Sequence, residues 1–277
     1  MGKRLRISGV ILNYKQEDSL MIRKLLTASL TASVAFAVVF FASSATSNAQ
    51  DVVILQGTIR KAKLNNKKRY LLQGVVFISK KLVIKAGAQI FGSQGSALVI
   101  QQGAKIKATG TQEEPIVMTS DQPVGDRRPG DWGGLVLNRR ASINVPGGVG
   151  SGEGNTGNYG GGTSPDDNDS SGVLRFVRVE YGGFAISPEN ELNCIAFQGA
   201  GAGTEVDHIA AAWGGDDGIE FFGGTTNMKF AAIVGATDDS LDWTFGWRGK
   251  VQFLLVQQRA GEADNGIEAD NNENNNN

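Results

Sequence analysis

The sequence has very little of the two side chains on which many binding and catalytic sites depend. It contains one cysteine, Cys194, and one histidine, His208, in 277 residues. An intrachain disulfide is therefore excluded, and so is any acid–base mechanism that needs two imidazoles. Proline is also scarce, with 6 residues against 38 glycines. This balance suits a fold with many tight turns and argues against polyproline segments.

The first 49 residues are predicted to be a targeting segment that precedes the folded domain. Met21 begins a short basic stretch, and residues 25–41 form an apolar run interrupted only by Ser and Thr. This run is near the lower length limit for a membrane span and is rich in small residues, so we expect a cleaved signal peptide and no membrane span in the mature chain. Cleavage is expected after Ala49, and residues 1–20 are interpreted as an upstream extension. The mature protein is thus predicted to be secreted or held at the outer surface.

The formal net charge of −1 conceals a separation of charge along the chain. Residues 51–140 contain 15 Lys and Arg against 6 Asp and Glu, whereas residues 141–277 contain 6 against 20. A linear fold would therefore have one basic end and one strongly acidic end. Nucleic acid is not expected as a partner, because the acidic half would repel it. A cation or a cationic surface suits the acidic end better.

A short repeat organises residues 204–270. Residues 206–220 are followed by a similar segment, 228–242, at a step of 22 with no gap, and a third copy occupies 251–268 with three extra residues inside it. A unit this short cannot bury a core of its own, so it is expected to stack on its neighbours as a solenoid. Each copy ends in an acidic motif of the form D-(D/N)-(G/S)-(I/L)-(E/D). The stacking therefore predicts files of acids along one side.

The residues before the repeat indicate the same kind of fold. Residues 82–92 and 98–108 share an apolar triplet, a glycine corner and a short second strand, at a step of 16. Strands this short, linked by single glycines, fit the sides of a coil better than a sandwich.

A glycine-rich segment, 144–172, interrupts the pattern. Almost half of its central part is glycine, so we predict a loop that buries no apolar surface and projects from the stack. Asp167 and Asp169, at its acidic end, are interpreted as solvated turn residues, with a calcium loop as the alternative.

The repeat alignment places Phe176, His208, Phe230 and Phe253 in one column. Strand alternation predicts that this column faces the interior and that its neighbours, Arg175, Asp207, Lys229 and Gln252, face water. His208 is therefore predicted to be a hydrogen-bonded interior group and not a catalytic one. Cys194, beside two apolar residues, is predicted to be a small buried filler.

Several motifs together resemble a known family. They are P-I-V-M-T-S at 115–120, G-D-W-G-G at 130–134, the strand-like stretch 171–183, and D-D-G-I-E-F-F-G-G at 216–224. The chain resembles uncharacterised secreted bacterial proteins, common in Bacteroidetes, with a pectate-lyase-like fold. The resemblance implies an all-β fold, a single-stranded right-handed parallel β-helix over residues 50–270, and export, but no activity. Members of this kind are usually longer. We therefore expect the Asn-rich residues 271–277 to be a disordered tail left by truncation.

Two kinds of chemistry and one structural role are open for the acidic motifs. Stacked coils would hold like charges about 4.8 Å apart, and the repulsion must be relieved by exposure, by protonation or by a cation such as calcium. The predicted metal ligands are Asp216, Asp217, Asp238, Asp239, Asp242 and Asp264. Alternatively, Gly215-Asp216-Asp217 is similar to the G-D-D motif of polygalacturonases, so Asp216, Asp217 and Asp239 could be catalytic carboxylates. Only Arg248, Lys250 and Arg259 are available nearby as basic groups, and Asp-Gly steps are also ordinary turn formers.

Four aromatic residues could form a sugar-binding surface, since exposed rings stack on glycans. They are Trp213, Trp243, Trp247 and Tyr181, with capping of the core at corners as the alternative. The sequence thus predicts an exported or cell-surface structural or binding protein, with adhesive or glycan contacts to a polysaccharide or cell-surface component. A polysaccharide-active enzyme is the second candidate.

Overall fold

The computed structural model describes residues 51–187 and 190–272. The predicted signal peptide and most of the predicted tail lie outside these residues. The described chain is all-β, as the sequence predicts, and its only helices are two short 3-10 turns at Pro146–Gly148 and Glu153–Asn155. The strands are β1 (Val52–Leu64), β2 (Arg69–Lys85), β3 (Gln89–Gly92), β4 (Ala97–Ile100), β5 (Lys105–Thr109), β6 (Ile116–Ser120), β7 (Leu135–Asn138), β8 (Gly150–Gly152), β9 (Gly157–Tyr159), β10 (Gly172–Glu180), β11 (Ala185–Ser187), β12 (Asn190–Glu191), β13 (Ile195–Gln198), β14 (Glu205–Ala212), β15 (Ile219–Phe222), β16 (Asn227–Val234), β17 (Leu241–Thr244) and β18 (Val251–Gln257).

Parallel pairing between successive coils builds a β-helix with three faces. Strand β2 is long enough to contribute to all three, because it pairs in turn with β3, β4 and β5. Face A contains β3, β6 and the C-terminal parts of β10, β14, β16 and β18. Face B contains β4, β7, β13, β15 and β17. Face C contains β5 and the N-terminal parts of β10, β14, β16 and β18.

The register confirms the repeat in the C-terminal half. Residues 205–212 pair with 227–234, and residues 219–222 pair with 241–244, both at a step of 22. The third copy pairs at a step of 23 on face A and 26 at the bridge between Leu241 and Ile267. Its three extra residues therefore fall in the turn between these two places. The 16-residue similarity is not a coil step, because residues 82–84 pair with 106–108, at a step of 24.

The side chains that point inward from the three faces form one continuous core. Aromatic rings stack along its axis on face B, where Phe197 lies 5.0 Å from Phe221, which lies 4.5 Å from Trp247. Cys194 is fully buried in this core and its Sγ lies 3.5 Å from the Val179 carbonyl. The predicted role of Cys194 as a buried filler is confirmed.

The G-D-W-G-G block makes a close turn onto face B. Trp132 is fully buried, and its Nε1 donates to the Glu180 carbonyl at 2.8 Å. Gly134 has φ of +87°, and a Cβ atom there would lie 2.4 Å from the carbonyl oxygen of Asn193. Glycine is required at this position because neither the backbone conformation nor the space admits a side chain.

An aromatic column marks the corner between faces C and A. Phe176, His208, Phe230 and Phe253 occupy equivalent positions on four coils, and each has a positive φ between 49° and 63°. Their rings stack with centroids 4.4, 4.6 and 4.7 Å apart. The predicted alignment is therefore correct, but the column lies on the outside, since Phe253 is 60% exposed.

The prediction of an interior His208 is wrong for the same reason. Alternation holds within an extended strand. The left-handed residue His208 turns the chain, so that two outward side chains, Asp207 and His208, lie between the inward residues Val206 and Ile209. The His208 side chain is 42% exposed, and its Nδ1 contacts the carboxylate of Asp207. Asp207 faces outward, as predicted.

The glycine-rich segment packs on the outer surface of face B, contrary to the prediction of a projecting loop. Tyr159 is 2% exposed and meets the ring of Phe222 edge-on at 5.9 Å. Together with Ile143 and Val136, these residues form a second apolar cluster outside the helix. One tyrosine supplies the apolar surface that the composition lacks, and the surrounding glycines allow backbone segments to approach closely.

The acidic end of this segment is held by polar partners. Asp167 accepts hydrogen bonds from the Ser142 amide at 2.9 Å and its hydroxyl at 2.7 Å, and it pairs with Arg248 at 2.7 Å. Although burial opposes the change, these hydrogen bonds and the Arg248 charge lower the pKa of Asp167. These partners favour the turn interpretation of Asp167 over a calcium loop.

Candidate functional site

The acidic motif of each repeat lies at the turn from face A to face B and on the first residues of face B. Glu220 and Asp242 are paired residues of β15 and β17. The bridge from Leu241 to Ile267 brings the third copy of the motif alongside. Folding at the 22-residue step therefore brings the acids of successive coils together.

The structure forms three overlapping sets of carboxylates. Within each set, one oxygen from every member lies within 4.8 Å of the others. The sets include all six of the predicted metal ligands, and they add Glu220. They are Asp216, Asp217 and Asp238; Asp217, Glu220 and Asp242; and Asp238, Asp239 and Asp264.

Two of these acids also connect the coils. Asp217 Oδ1 accepts a hydrogen bond from the Asp239 amide at 3.0 Å, and Asp239 Oδ1 accepts one from the Asn265 amide at 2.5 Å. Each carboxylate thus satisfies a backbone donor of the next coil. One carboxylate oxygen of Asp217 and one of Asp239 therefore have the structural role of holding the turn of the next coil.

The set of Asp217, Glu220 and Asp242 is buried, and each member is at most 8% exposed. Asn193 donates a hydrogen bond from Nδ2 to Glu220 Oε2. Asp242 Oδ1 and Asn193 Oδ1 are both buried with no hydrogen-bond partner among the described residues. A buried oxygen left in this way costs free energy, so the set has unused capacity for a proton or a cation.

Burial and mutual repulsion raise the pKa values of these acids. Burial, with the charges of Glu191 and Asp238 adding to it, raises the pKa of Asp216 to about 8. Burial, together with the charges of Asp216 and Asp242, raises the pKa of Asp217 to about 9. Burial also raises the pKa of Glu220 well above its ordinary value. Without a cation, several of these groups therefore hold protons near neutral pH.

Three residues of the site were not identified from the sequence. Glu191 interacts with Asp216 from the β11–β12 hairpin. Burial and the charge of Glu191 raise the pKa of Glu153, in the glycine-rich segment, to about 7. Asn193 is the third. The glycine-rich segment folds back over face B from a place far from the repeat, and no local pattern in it signals this return. Asn193 instead lies two residues before β13, and the pairing of Ile195 with Ile219 aligns it with Asp217 on the next coil.

The basic groups near the acidic files have other partners or stand apart. Arg248 pairs with Asp167, and Arg259 pairs with Glu262. Among the described residues, Lys250 forms no ion pair. The six predicted metal ligands form none there either. In the part of the chain that the structure describes, therefore, none of these three basic groups is paired with a predicted metal ligand.

The four predicted sugar-binding aromatics are divided between two places. Trp243 and Trp247 lie 5.4 Å apart and pack against the core, and Trp247 Nε1 donates to the Thr226 carbonyl at 3.2 Å. Tyr181 and Trp213 occupy equivalent left-handed positions where face A ends. Trp213 is 39% exposed. The first pair matches the core-capping alternative, whereas in the second pair Trp213 is exposed and Tyr181 is half-buried.

Comparison with known families agrees with this architecture. Residues 57–277 match the model of a family described as a pectate-lyase like beta helix domain. Because the match covers most of the chain, the protein belongs to this β-helix family. Neither the curated proteins nor the solved structures compared with the chain gave a match. No helix in the described residues has the length and apolar character that crossing a membrane requires.

Proposed function

We propose that this chain is an exported or cell-surface β-helix protein that holds a divalent cation, calcium, in its acidic files and makes adhesive contacts with glycans. The observation that carries the proposal is the buried set of Asp217, Glu220 and Asp242, whose oxygens lie within 4.8 Å of one another. Asp242 Oδ1 has no other partner among the described residues.

The spacing of these oxygens suits calcium. Calcium binds oxygen at about 2.3–2.6 Å, so two ligands on opposite sides of one ion lie roughly 4.6–5.2 Å apart. The set contains only oxygen ligands, and the neighbouring Asn193 Oδ1 offers a neutral one. Magnesium fits less well, because it demands a near-octahedral arrangement and keeps its own waters.

The glycan part of the proposal is supported by family membership, since a pectate-lyase like domain is compatible with a polysaccharide-related role. Trp213 is the residue proposed to contact sugar, as it is the most exposed of the four candidates, and Tyr181 is included because it occupies the equivalent position on the neighbouring coil. We further propose that the coil is single-stranded and right-handed, because crossovers between parallel strands of one sheet are almost always right-handed. Export through cleavage after Ala49 belongs to the same proposal.

Thermal unfolding with and without calcium tests the cation site. Calcium at about 100 times its Kd should stabilise the fold by about 2.7 kcal/mol, which raises Tm by about 5 °C or more in a domain of this size. Asp242→Asn should remove most of this increase. Asp126→Asn changes an exposed carboxylate by the same single atom and should keep it. An equal response of the two variants, or a wild-type Tm that calcium does not change, would contradict the proposal.

A polysaccharide-active enzyme is the second candidate, and the raised pKa values of Asp216 and Asp217 favour it. A carboxylic acid that stays protonated near neutral pH can protonate a glycosidic oxygen while a second carboxylate acts as base or nucleophile, and Asp239 is the candidate for that second role. Release of reducing ends from polygalacturonate and neutral glycans by the wild type, and its loss in Asp217→Asn, would establish this function. If neither polygalacturonate nor the neutral glycans were cleaved, the enzyme candidate would be refuted and the binding function would be the one that remains.

A further inference from the structure

The outer surface of face C in the first coils carries a regular array of lysines. Lys61 pairs in register with Lys81, and Lys81 pairs with Lys105, so three amines form one file parallel to the helix axis. A second file contains Lys63 and Lys107, with Val83 between them, and Lys85 lies beside it. We call these six residues the lysine surface.

All six lysines are exposed. The residues between them, such as Leu82, Ile84 and Ile106, point into the core, so alternation fixes the lysines on the outside. None of the ion pairs found in residues 51–187 and 190–272 includes a member of the lysine surface. The one hydrogen bond there from a lysine amine runs from Lys105 to the neutral carbonyl of Ser170.

The register works against the stability of the chain itself. Like charges about 4.8 Å apart repel by about 1 kcal/mol in water, and like charges directly opposite each other in a sheet are destabilising. Such a file is relieved by a ligand whose negative charges repeat along a line. Three coils give a file roughly 10 Å long, which suits several successive units of a linear polymer.

We infer that the lysine surface binds an acidic polysaccharide, one that carries sulfate or uronate groups, along the helix axis. This inference deepens the glycan part of the proposed function and is independent of the cation site. Within the lysine surface the outward neighbours are Val83 and Thr109, so the flat face offers no aromatic ring on which a nucleic-acid base could stack.

The presence of lysine and not arginine also favours an acidic polysaccharide over a nucleic acid. Lysine is a point charge without the planar fork with which arginine binds phosphates and bases, and the surface consists of lysines alone. A second copy of this chain is the alternative occupant. At the acidic end Asp217, Asp239 and Asp242 are buried, but Asp238, Asp264 and Glu268 are exposed, so self-association is one of the outcomes tested below.

Chromatography on heparin, a sulfated polysaccharide, tests the inference with two matched double variants. Lys61→Gln with Lys81→Gln removes two charges from the lysine surface. Lys229→Gln with Lys250→Gln removes two exposed charges near face C at the acidic end. We expect the first variant to elute at lower NaCl and to bind heparin about tenfold more weakly, since each lysine near a polyanion contributes a factor of several. The second should stay within about twofold of the wild type.

Folding is checked by Tm, which should not fall in the Lys61→Gln/Lys81→Gln variant because a repulsion has been removed.

If both double variants lost heparin affinity to the same extent, the binding would depend only on net charge, and the inference would be overturned. Binding of a single-stranded oligonucleotide of matched charge as tightly as heparin would assign the surface to nucleic acid instead. Self-association in ultracentrifugation that only this variant abolishes, without heparin binding, would assign it to a second copy. A wild type that binds heparin but does not respond to calcium would refute the cation site alone.

Discussion

Glu220 and Asp242 stand opposite each other as paired residues of two parallel strands, and both are buried. Burial and the charges of Asp217 and Asp242 raise the pKa of Glu220, and a hydrogen bond between the carboxyl groups of Glu220 and Asp242 raises it further. Two buried acids in this position share a proton unless a cation replaces it. The protonation of the acidic files therefore determines how the stability of the protein depends on pH.

The metal-free protein is expected to lose stability as pH rises. The folded-state pKa values of Asp216 and Asp217, about 8 and about 9, lie far above the ordinary value of 3.8. The native state thus binds protons that the unfolded chain releases, so their stabilisation is complete below about pH 4 and is lost as pH rises through about 8 to 9. The urea concentration at the midpoint of unfolding of the metal-free protein should therefore decrease as the pH is raised from about 5 to about 9.

Saturating calcium should flatten or reverse this trend, because the ion then replaces the protons. A metal-free midpoint that rises over the same range would show that these acids are ionised in the folded protein. Asp126→Asn, which alters an exposed acid, should leave the profile unchanged.

The glycine of the acidic motif should be indispensable in one copy and replaceable in another. A Cβ at Gly218 would lie 2.2 Å from Ile233 Cγ2 and 2.7 Å from the Ser240 carbonyl oxygen. At the equivalent Gly266 the nearest atom, Val256 Cγ1, is 4.0 Å away. Gly218→Ala should lower the free energy of unfolding by about 1–3 kcal/mol, and Gly266→Ala by less than about 0.5 kcal/mol. Chemical denaturation measures both, and similar values would refute the assigned packing.

The glycine-rich segment should depend on Tyr159 for its attachment to face B. Tyr159→Ala is expected to destabilise the protein by about 3–5 kcal/mol, because it removes a large buried ring from the cluster with Phe222. Tyr159→Phe keeps the ring and should cost much less. Limited proteolysis should then cut the alanine variant within residues 144–172 while the phenylalanine variant stays intact. Resistance of both variants would show that other contacts hold the segment.

Cys194 should be inert in the folded protein. Burial raises its pKa to about 12, so at neutral pH the thiol lacks both the charge and the access that a disulfide reagent needs. Ellman's reagent should titrate no thiol in the native state and one in urea. Reaction at the rate of a free thiol without denaturant would contradict the buried position.

The sequence was most informative where local pattern and register coincide. The 22-residue step between 206–220 and 228–242 sets the pairing of β14 with β16 and of β15 with β17, and it brings the acids together. It failed at corners, because one left-handed residue such as His208 reverses the direction that alternation predicts. It also failed where a distant segment folds back, since the positions of Tyr159 and Glu153 depend on contacts across the chain.

The match between repeat and coil has an evolutionary consequence. Because residues 205–212 align with 227–234 without a gap, adding or removing 22 residues preserves every inward column, whereas most other lengths would shift the columns. The protein can therefore grow or shrink by tandem duplication in whole coils. Three extra residues of the third copy lie in the turn between faces A and B, and one lies in the turn before β18, so smaller insertions can accumulate at the turns of a coil.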